Sequence, residues 1–240
     1  MRVLEHAAAI AIVCAAVVGQ AGLAAAAVSP LQKCQATKIK AGGKLSACRA
    51  TERSKRLLGR AFDIAKCEAA FAKSLAKADD AAARRGITCR FLDNGDRTIS
   101  DLDTGLMWEK KDTEGGLHDQ ARTYSWTDAM GDWLSQVNGN TFYGPGGSLT
   151  HSPGLGGFKD WRVPTMHELA TIIDPDVAGC GFGSSCIDPI FGPTAQEHWS
   201  SSSSGSYPGS SHFADFHVPF SAGLADRASS MGVRAVRGGP

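Results

Sequence analysis

Asp160-Trp161-Arg162-Val163-Pro164-Thr165-Met166-His167-Glu168-Leu169 is the stretch on which the fold of this chain turns. Thr165 and Glu168 stand at the spacing where an N-cap hydroxyl and an N3 carboxylate satisfy each other's backbone donors, and Pro164 directly precedes them. The spacing predicts a strand through Trp161 that hands over to a helix running through Ile173. Upstream, Ser125 precedes Trp126, Met130, Trp133 and Val137, which share one helical face; Asp128 answers the cap and Asn138-Gly139 ends the helix. Farther upstream, Asn94-Gly95 lies between Arg90-Phe91-Leu92 and Thr98-Ile99-Ser100, a hairpin signal because that pair tolerates positive φ. Asp103-Thr104-Gly105 then turns the chain into a strand at Leu106-Met107-Trp108. Downstream, strands are expected at His212–Val218, Leu224–Ala228 and Met231–Val236. Trp108, Trp126, Trp133 and Trp161 supply the aromatic area of a core. Residues 89–240 therefore read as an α+β head.

Before Cys89 the sequence changes character. Residues 31–85 are rich in Ala, Lys, Arg and Leu, hold no proline, and carry Ile64, Cys67, Phe71, Leu75 and Ala78 at helical spacing. This reads as an antiparallel helical hairpin over 28–88 that turns at Gly59 and closes at Gly86, with Gly42-Gly43 as a defect in its first helix. The 240-residue chain is nearly neutral in total, but that total hides a split. Residues 28–88 hold 14 Lys and Arg against 5 Asp and Glu, and residues 89–240 hold 10 against 18. A basic hairpin is suited to an anionic glycan or envelope polymer, and Lys38, Lys40, Lys44, Arg49, Arg53, Lys55, Arg56 and Arg60 are its candidate polyanion contacts. An acidic head argues against nucleic acid as a partner.

Residues 1–27 have the form of a secretory signal peptide. Arg2 precedes an apolar run from Ala7 to Val18, which is too short to span a bilayer, and Ala24–Ala27 offer small-residue cleavage geometry. Export to the periplasm, the cell surface or the medium is the expectation, with no transmembrane segment in the mature chain. Its removal takes Cys14 and leaves Cys34, Cys48, Cys67, Cys89, Cys180 and Cys186, an even set that in an oxidising compartment implies disulfides. Cys34 and Cys48 recur at heptad spacing with Ala41 and face one partner helix. Folding the hairpin at Gly59 brings Cys48 nearest Cys67 and Cys34 nearest Cys89, and these pairings are favoured, with Cys180 joined locally to Cys186. No C-x-x-C knuckle or histidine accompanies the early cysteines, so neither zinc nor any other cofactor is expected. Asp93, Asp96, Asp101 and Asp103 lack the alternating spacing of a calcium loop and read as turn chemistry.

The order Phe91-Leu92-Asp93-Asn94-Gly95-Asp96, Thr104-Gly105-Leu106-Met107-Trp108, Asp160-Trp161-Arg162-Val163-Pro164-Thr165 with Glu168-Leu169, Trp199-Ser200-Ser201 and Val233-Arg234-Ala235-Val236-Arg237-Gly238-Gly239 resembles the Lcl C-terminal domain family over residues 90–239. That family is named for a bacterial collagen-like adhesin. The resemblance implies an exported head related to the C-type-lectin-like fold, with glycan binding known for the adhesin. This chain has no collagen triplets, so trimerisation through a collagen stalk does not carry over.

An enzyme reading comes from the same fold relationship, because Arg162-Val163-Pro164-Thr165 with Glu168 is similar to a motif of formylglycine-generating enzymes, which hold copper with a late cysteine pair. Cys180 and Cys186 close a short loop and are better explained as a structural disulfide. Ser200–Ser204 lack a G-x-S-x-G elbow, and the head histidines lack H-E-x-x-H. The expected function is non-catalytic recognition of carbohydrate or envelope polymer, adhesin-like. The rival reading is a structural envelope protein whose head binds protein. The expected ligand surface is the loop 139–157 with the segment 198–211. There Trp199, Tyr143 and Tyr207 offer rings for sugar stacking, and Ser200 and Ser201 offer hydroxyls.

Overall fold

The computed structural model describes residues 28–139, 142–143, 149–150, 153–219 and 221–239. The expected signal peptide, with Cys14, lies outside the described residues, as do 140–141, 144–148 and 151–152 of the glycine-rich loop. The chain is α+β: two long helices precede a head built on antiparallel sheets.

Helix α1 (Pro30–Leu57) starts at Ser29, whose hydroxyl accepts from the Gln32 N–H while the Gln32 side chain accepts from the Ser29 N–H. Pro30 supplies the fixed φ of a first helical position. Gly42 and Gly43 do not break α1, and a Cβ at either would meet nothing within 4 Å. Helix α2 (Ala65–Ala83) packs antiparallel to α1, and the chain reverses where Gly59 takes φ +65°. What the helices bury is small: Cys34, Ala78, Ala82 and Cys89, with Ile87 packed against them. Covalent ties supplement that core. Cys34 is bonded to Cys89 and Cys48 to Cys67, the pairings the hairpin geometry favoured, and Cys180 is bonded to Cys186, the local pair expected in the head.

In the head, β1 (Phe91–Asp93), β2 (Thr98–Asp101), β3 (Leu106–Glu109) and β9 (Val236–Gly238) form one sheet in that order. The β1–β2 hairpin closes where expected, with Gly95 at φ +79° and Arg97 at φ +68°. The aspartates act as turn residues: Asp93 accepts from Gly95 N–H, Asp96 from Thr98 N–H and Asp101 from Asp103 N–H. The stretch after Ser125 is helical but not uniformly so: α3 (Trp126–Asp128), a π turn (Ala129–Trp133) and α4 (Leu134–Val137) follow one another. Ala129, Trp133 and Val137 are buried, and Trp126 and Met130 pack half-buried against the same core cluster. Helix α5 (Met166–Ile172) carries the reciprocal Thr165–Glu168 cap expected of it.

A second sheet contains β6 (Glu197–Ser203), β7 (Ser210–Asp215) and β8 (Ser221–Asp226). The segment 198–211, expected as ligand surface because it is polar and turn-rich, instead contains most of β6. Both faces of this strand are covered, so His198, Trp199 and Ser200 are all buried and no period of two marks it. Met231–Val236 joins the two sheets. It bridges Tyr124 and His198, its Ala235 carbonyl accepts from the Glu109 N–H, Val236 pairs with Arg162, and all six residues are buried. The strand expected across 231–236 is thus a string of bridges, with the regular ladder only from Val236 onward.

Hairpin and head are joined at one end of α1. Besides Cys34–Cys89, Gln35 donates to the Phe91 carbonyl at 2.9 Å. Lys38, expected as a surface cation, is 1% exposed, with its ammonium 2.6 Å from Asp79 on α2 and 2.5 Å from Asp103 on the head. Replacing Lys38 with Ala leaves two facing carboxylates without their shared cation. Both keep partial access to water, so urea unfolding is expected to show a loss of about 1–3 kcal/mol. A loss under about 0.5 kcal/mol would contradict the clamp.

Candidate functional site

A cleft of about 890 Å³ lies between the hairpin and the head. Ile39, Gly42 and Leu45 of α1 and Phe71 of α2 form one wall; Leu102 to Met107 form the floor; Thr165, His167 and Glu168 at the start of α5, with Arg237 of β9, form the other wall. Three of the five motifs that carry the family resemblance contribute to this lining: Thr104–Met107 from one, Thr165 and Glu168 from a second, Arg237 and Gly239 from a third.

The charges around this cleft are held in pairs. Arg162 reaches Glu168 with two contacts at 2.7 and 2.5 Å, and Thr165 N–H donates to the same carboxylate at 2.8 Å. Burial alone would raise the Glu168 pKa, but Arg162 and Thr165 outweigh it and hold the group below its usual range, while Glu168 in turn raises Arg162. Arg237 donates to Asp160 at 2.7 and 3.1 Å, lowering that carboxyl, and lies 3.7 Å from the Phe158 ring centroid. Arg49 meets Glu68 at 3.0 Å and Lys38 meets Asp103. A cleft whose cations are already neutralised is a poor trap for sulfate or phosphate. Paired charged groups with exposed His167 and Ser46 beside apolar Phe71, Leu102 and Met107 suit a hydroxylated ligand with apolar faces.

The ring and hydroxyl candidates named from sequence do not assemble into this site. Trp199 is 0% exposed and its indole N–H donates to the Tyr124 carbonyl at 2.9 Å; it is a core residue, because β6 is covered on both faces. Ser200 is equally buried and donates to the His212 carbonyl at 2.8 Å. Ser201 is half-buried, its N–H donating to the Pro164 carbonyl, and Tyr207 is exposed in the β6–β7 turn away from the cleft. Tyr143 is placed on β4 (Phe142–Tyr143), opposite Leu149 on β5 (Leu149–Thr150), and its side chain lies outside the description. Of the basic candidates, Lys38 is corrected to a buried clamp, Arg49 pairs with Glu68 and Lys55 with Glu52, while Lys40, Lys44, Arg53, Arg56 and Arg60 are exposed.

Sequence reading missed Glu109 and the partners that Arg234 takes inside the fold. Glu109 is 0% exposed, bound through one oxygen to Lys111 at 2.9 Å and His118 at 2.7 Å, and through the other to the Ala235 N–H. Arg234, also fully buried, donates to the carbonyls of Glu109 and Phe191 and to the Thr194 hydroxyl. Burial would raise Glu109, but Lys111 and His118 bring it down to about 2; burial lowers Lys111, takes Arg234 to about 10 and pushes His198 well below the ordinary histidine value. The signal was an arginine set inside the buried run Met231–Val236. Its partners within the fold make this network a scaffold for the Met231–Val236 segment. Among the described residues, Cys34, Asp79 and Cys89 bring possible metal-ligand atoms within 4.8 Å of one another, but the two sulfurs are bonded to each other.

Trp199→Ala is expected to lower stability by about 3–5 kcal/mol, as for other buried large-to-small changes. An unchanged melting temperature would return Trp199 to the surface. Because the folded pKa of Glu109 lies near 2 and its ordinary value is 4.5, its contribution is fully present above pH 4.5 and is lost as pH falls toward 2. Glu109→Gln is expected to be less stable at pH 7 and to lose less than the parent over that acid window; parallel acid profiles for the two proteins would contradict the assignment.

No curated protein matches this chain. The family model described as the Lcl C-terminal domain matches residues 97–237, from just before β2 into β9, and includes Thr104–Met107, Thr165, Glu168 and Arg237 of the cleft lining. The chain belongs to the Lcl C-terminal domain family.

Proposed function

We propose that this protein is an exported, non-catalytic binding protein of the bacterial envelope that recognises carbohydrate or a related envelope polymer, in the manner of an adhesin. The head on this reading is a C-type-lectin-like domain, and the ligand lies in the cleft rather than on the serine segment. The observation that carries the proposal is that cleft, lined in part by residues of three motifs that carry the family resemblance and ringed by charges that already have partners. Such a lining favours neutral or sparsely charged glycans over sulfated ones, since binding a sulfate would require breaking an existing ion pair. The three disulfides support a location in an oxidising compartment. The Cys180–Cys186 bond supports reading that pair as structural rather than as the metal-binding thiols of a formylglycine-type enzyme.

Gly42 supplies the test. It lines the cleft, and a Cβ built there meets nothing within 4 Å, so the side chain of Gly42→Trp can leave the helix without a clash at its Cβ and occupy the groove. The intact protein on a glycan array is expected to bind neutral glycans, and Gly42→Trp to weaken that binding about tenfold or more with an unchanged melting temperature. Binding that survives Gly42→Trp, or an array on which no glycan is retained, would refute the cleft as a carbohydrate site.

A further inference from the structure

The far end of the hairpin carries large apolar side chains that the fold does not use. Leu57 is 88% exposed, Leu58 65% and Phe62 47%. Around them stand the exposed cations Arg53, Arg56 and Arg60, with the Arg56 guanidinium 5.6 Å from the Phe62 ring centroid. Between residues 52 and 66 there are five Lys and Arg against two acids, and one of those acids faces inward. Glu52 is 2% exposed; it accepts from Lys55 and from the Asp63 N–H and lies 2.9 Å from the Lys66 ammonium, and hydrogen bonds from Lys55, Lys66 and Asp63 lower its pKa to about 2.

These bonds hold the loop in one shape. Glu52 ties the end of α1 to the start of α2, Cys48–Cys67 closes the hairpin just behind, and Gly59 makes the reversal at φ +65°. The apolar side chains are therefore presented outward by a rigid tip. The tip also stands apart from the head: Leu57 is 19 residues beyond the Lys38 clamp, about 29 Å along the helix. An apolar centre flanked by arginines is the chemistry of an interfacial membrane contact, where apolar side chains enter the headgroup region and cations meet lipid phosphates. The charge division of the molecule fits that geometry, because an anionic surface attracts the basic hairpin and repels the acidic head.

We propose that the hairpin tip docks on an anionic lipid bilayer, with Leu57, Leu58 and Phe62 entering the headgroup region and Arg53, Arg56 and Arg60 engaging its phosphates. The head is then held away from the surface. This goes beyond the cleft reading and is measured separately from it, so either can fail alone. The test is co-sedimentation of the intact protein with vesicles of phosphatidylcholine and with vesicles of equimolar phosphatidylcholine and phosphatidylglycerol. The anionic vesicles are expected to bind about tenfold more tightly, less so as salt rises. Leu57→Ser/Leu58→Ser/Phe62→Ser and Arg53→Gln/Arg56→Gln/Arg60→Gln should each weaken that binding about tenfold. Helical circular dichroism should be unchanged in both, since the replaced groups are exposed. Equal binding to both vesicles, or none to either, overturns the proposal. Full binding by the serine variant would instead indicate a purely electrostatic contact with a polyanion. A tip-dependent dimer in ultracentrifugation without vesicle binding would make a second copy of this chain the occupant.

Discussion

Lys38 takes its ammonium out of water to sit between Asp79 of the second helix and Asp103 of the head, and the relation of the two halves of this protein depends on that arrangement. A two-helix unit that buries little more than alanines and cystines has too small a core to position itself. The buried cation, the adjacent Cys34–Cys89 bond and the Gln35 contact to Phe91 fix the angle at which α1 leaves the head. That angle creates the cleft, because α1 passes over the β2–β3 turn and the start of α5 without closing on them.

Much of this was legible in the sequence where local chemistry decides local structure. The Thr165–Glu168 cap, the Asn94-Gly95 reversal, the hairpin with its turn at Gly59 and the disulfide pairing each follow from a few neighbouring residues or a simple folding-back of the chain. The illegible parts are those that tertiary contacts decide. β6 looked like a polar loop because burial on both faces erases the alternation by which strands are read, and Trp199 was misplaced with it. Lys38 looked like one more lysine on a basic helix, since its two carboxylates come from elsewhere in the chain. In the Glu109 network Lys111 and His118 are near neighbours in the chain, but Arg234 and the Ala235 N–H come from 125 and 126 residues away.

Charge is used here in two different ways. Within the head and along the cleft, charged groups are matched by partners, which fixes geometry and leaves little net attraction for an anion. On the hairpin, cations accumulate with few acids to answer them, and at its tip they accompany unburied leucine and phenylalanine. One end of the molecule is thus suited to recognition by shape and hydrogen bonding, the other to attachment at an anionic surface.

The central claim, that hairpin and head are one unit around a defined cleft, can be tested without a ligand. All five tryptophans lie in the head, whereas the two long helices make up the hairpin. Tryptophan fluorescence therefore reports on one half and the helical signal at about 222 nm chiefly on the other during urea unfolding. The clamp predicts a single transition with coincident midpoints by the two probes. Helix loss at clearly lower urea than the fluorescence change would mean that the hairpin melts independently, and the cleft between the two parts would then have no fixed wall.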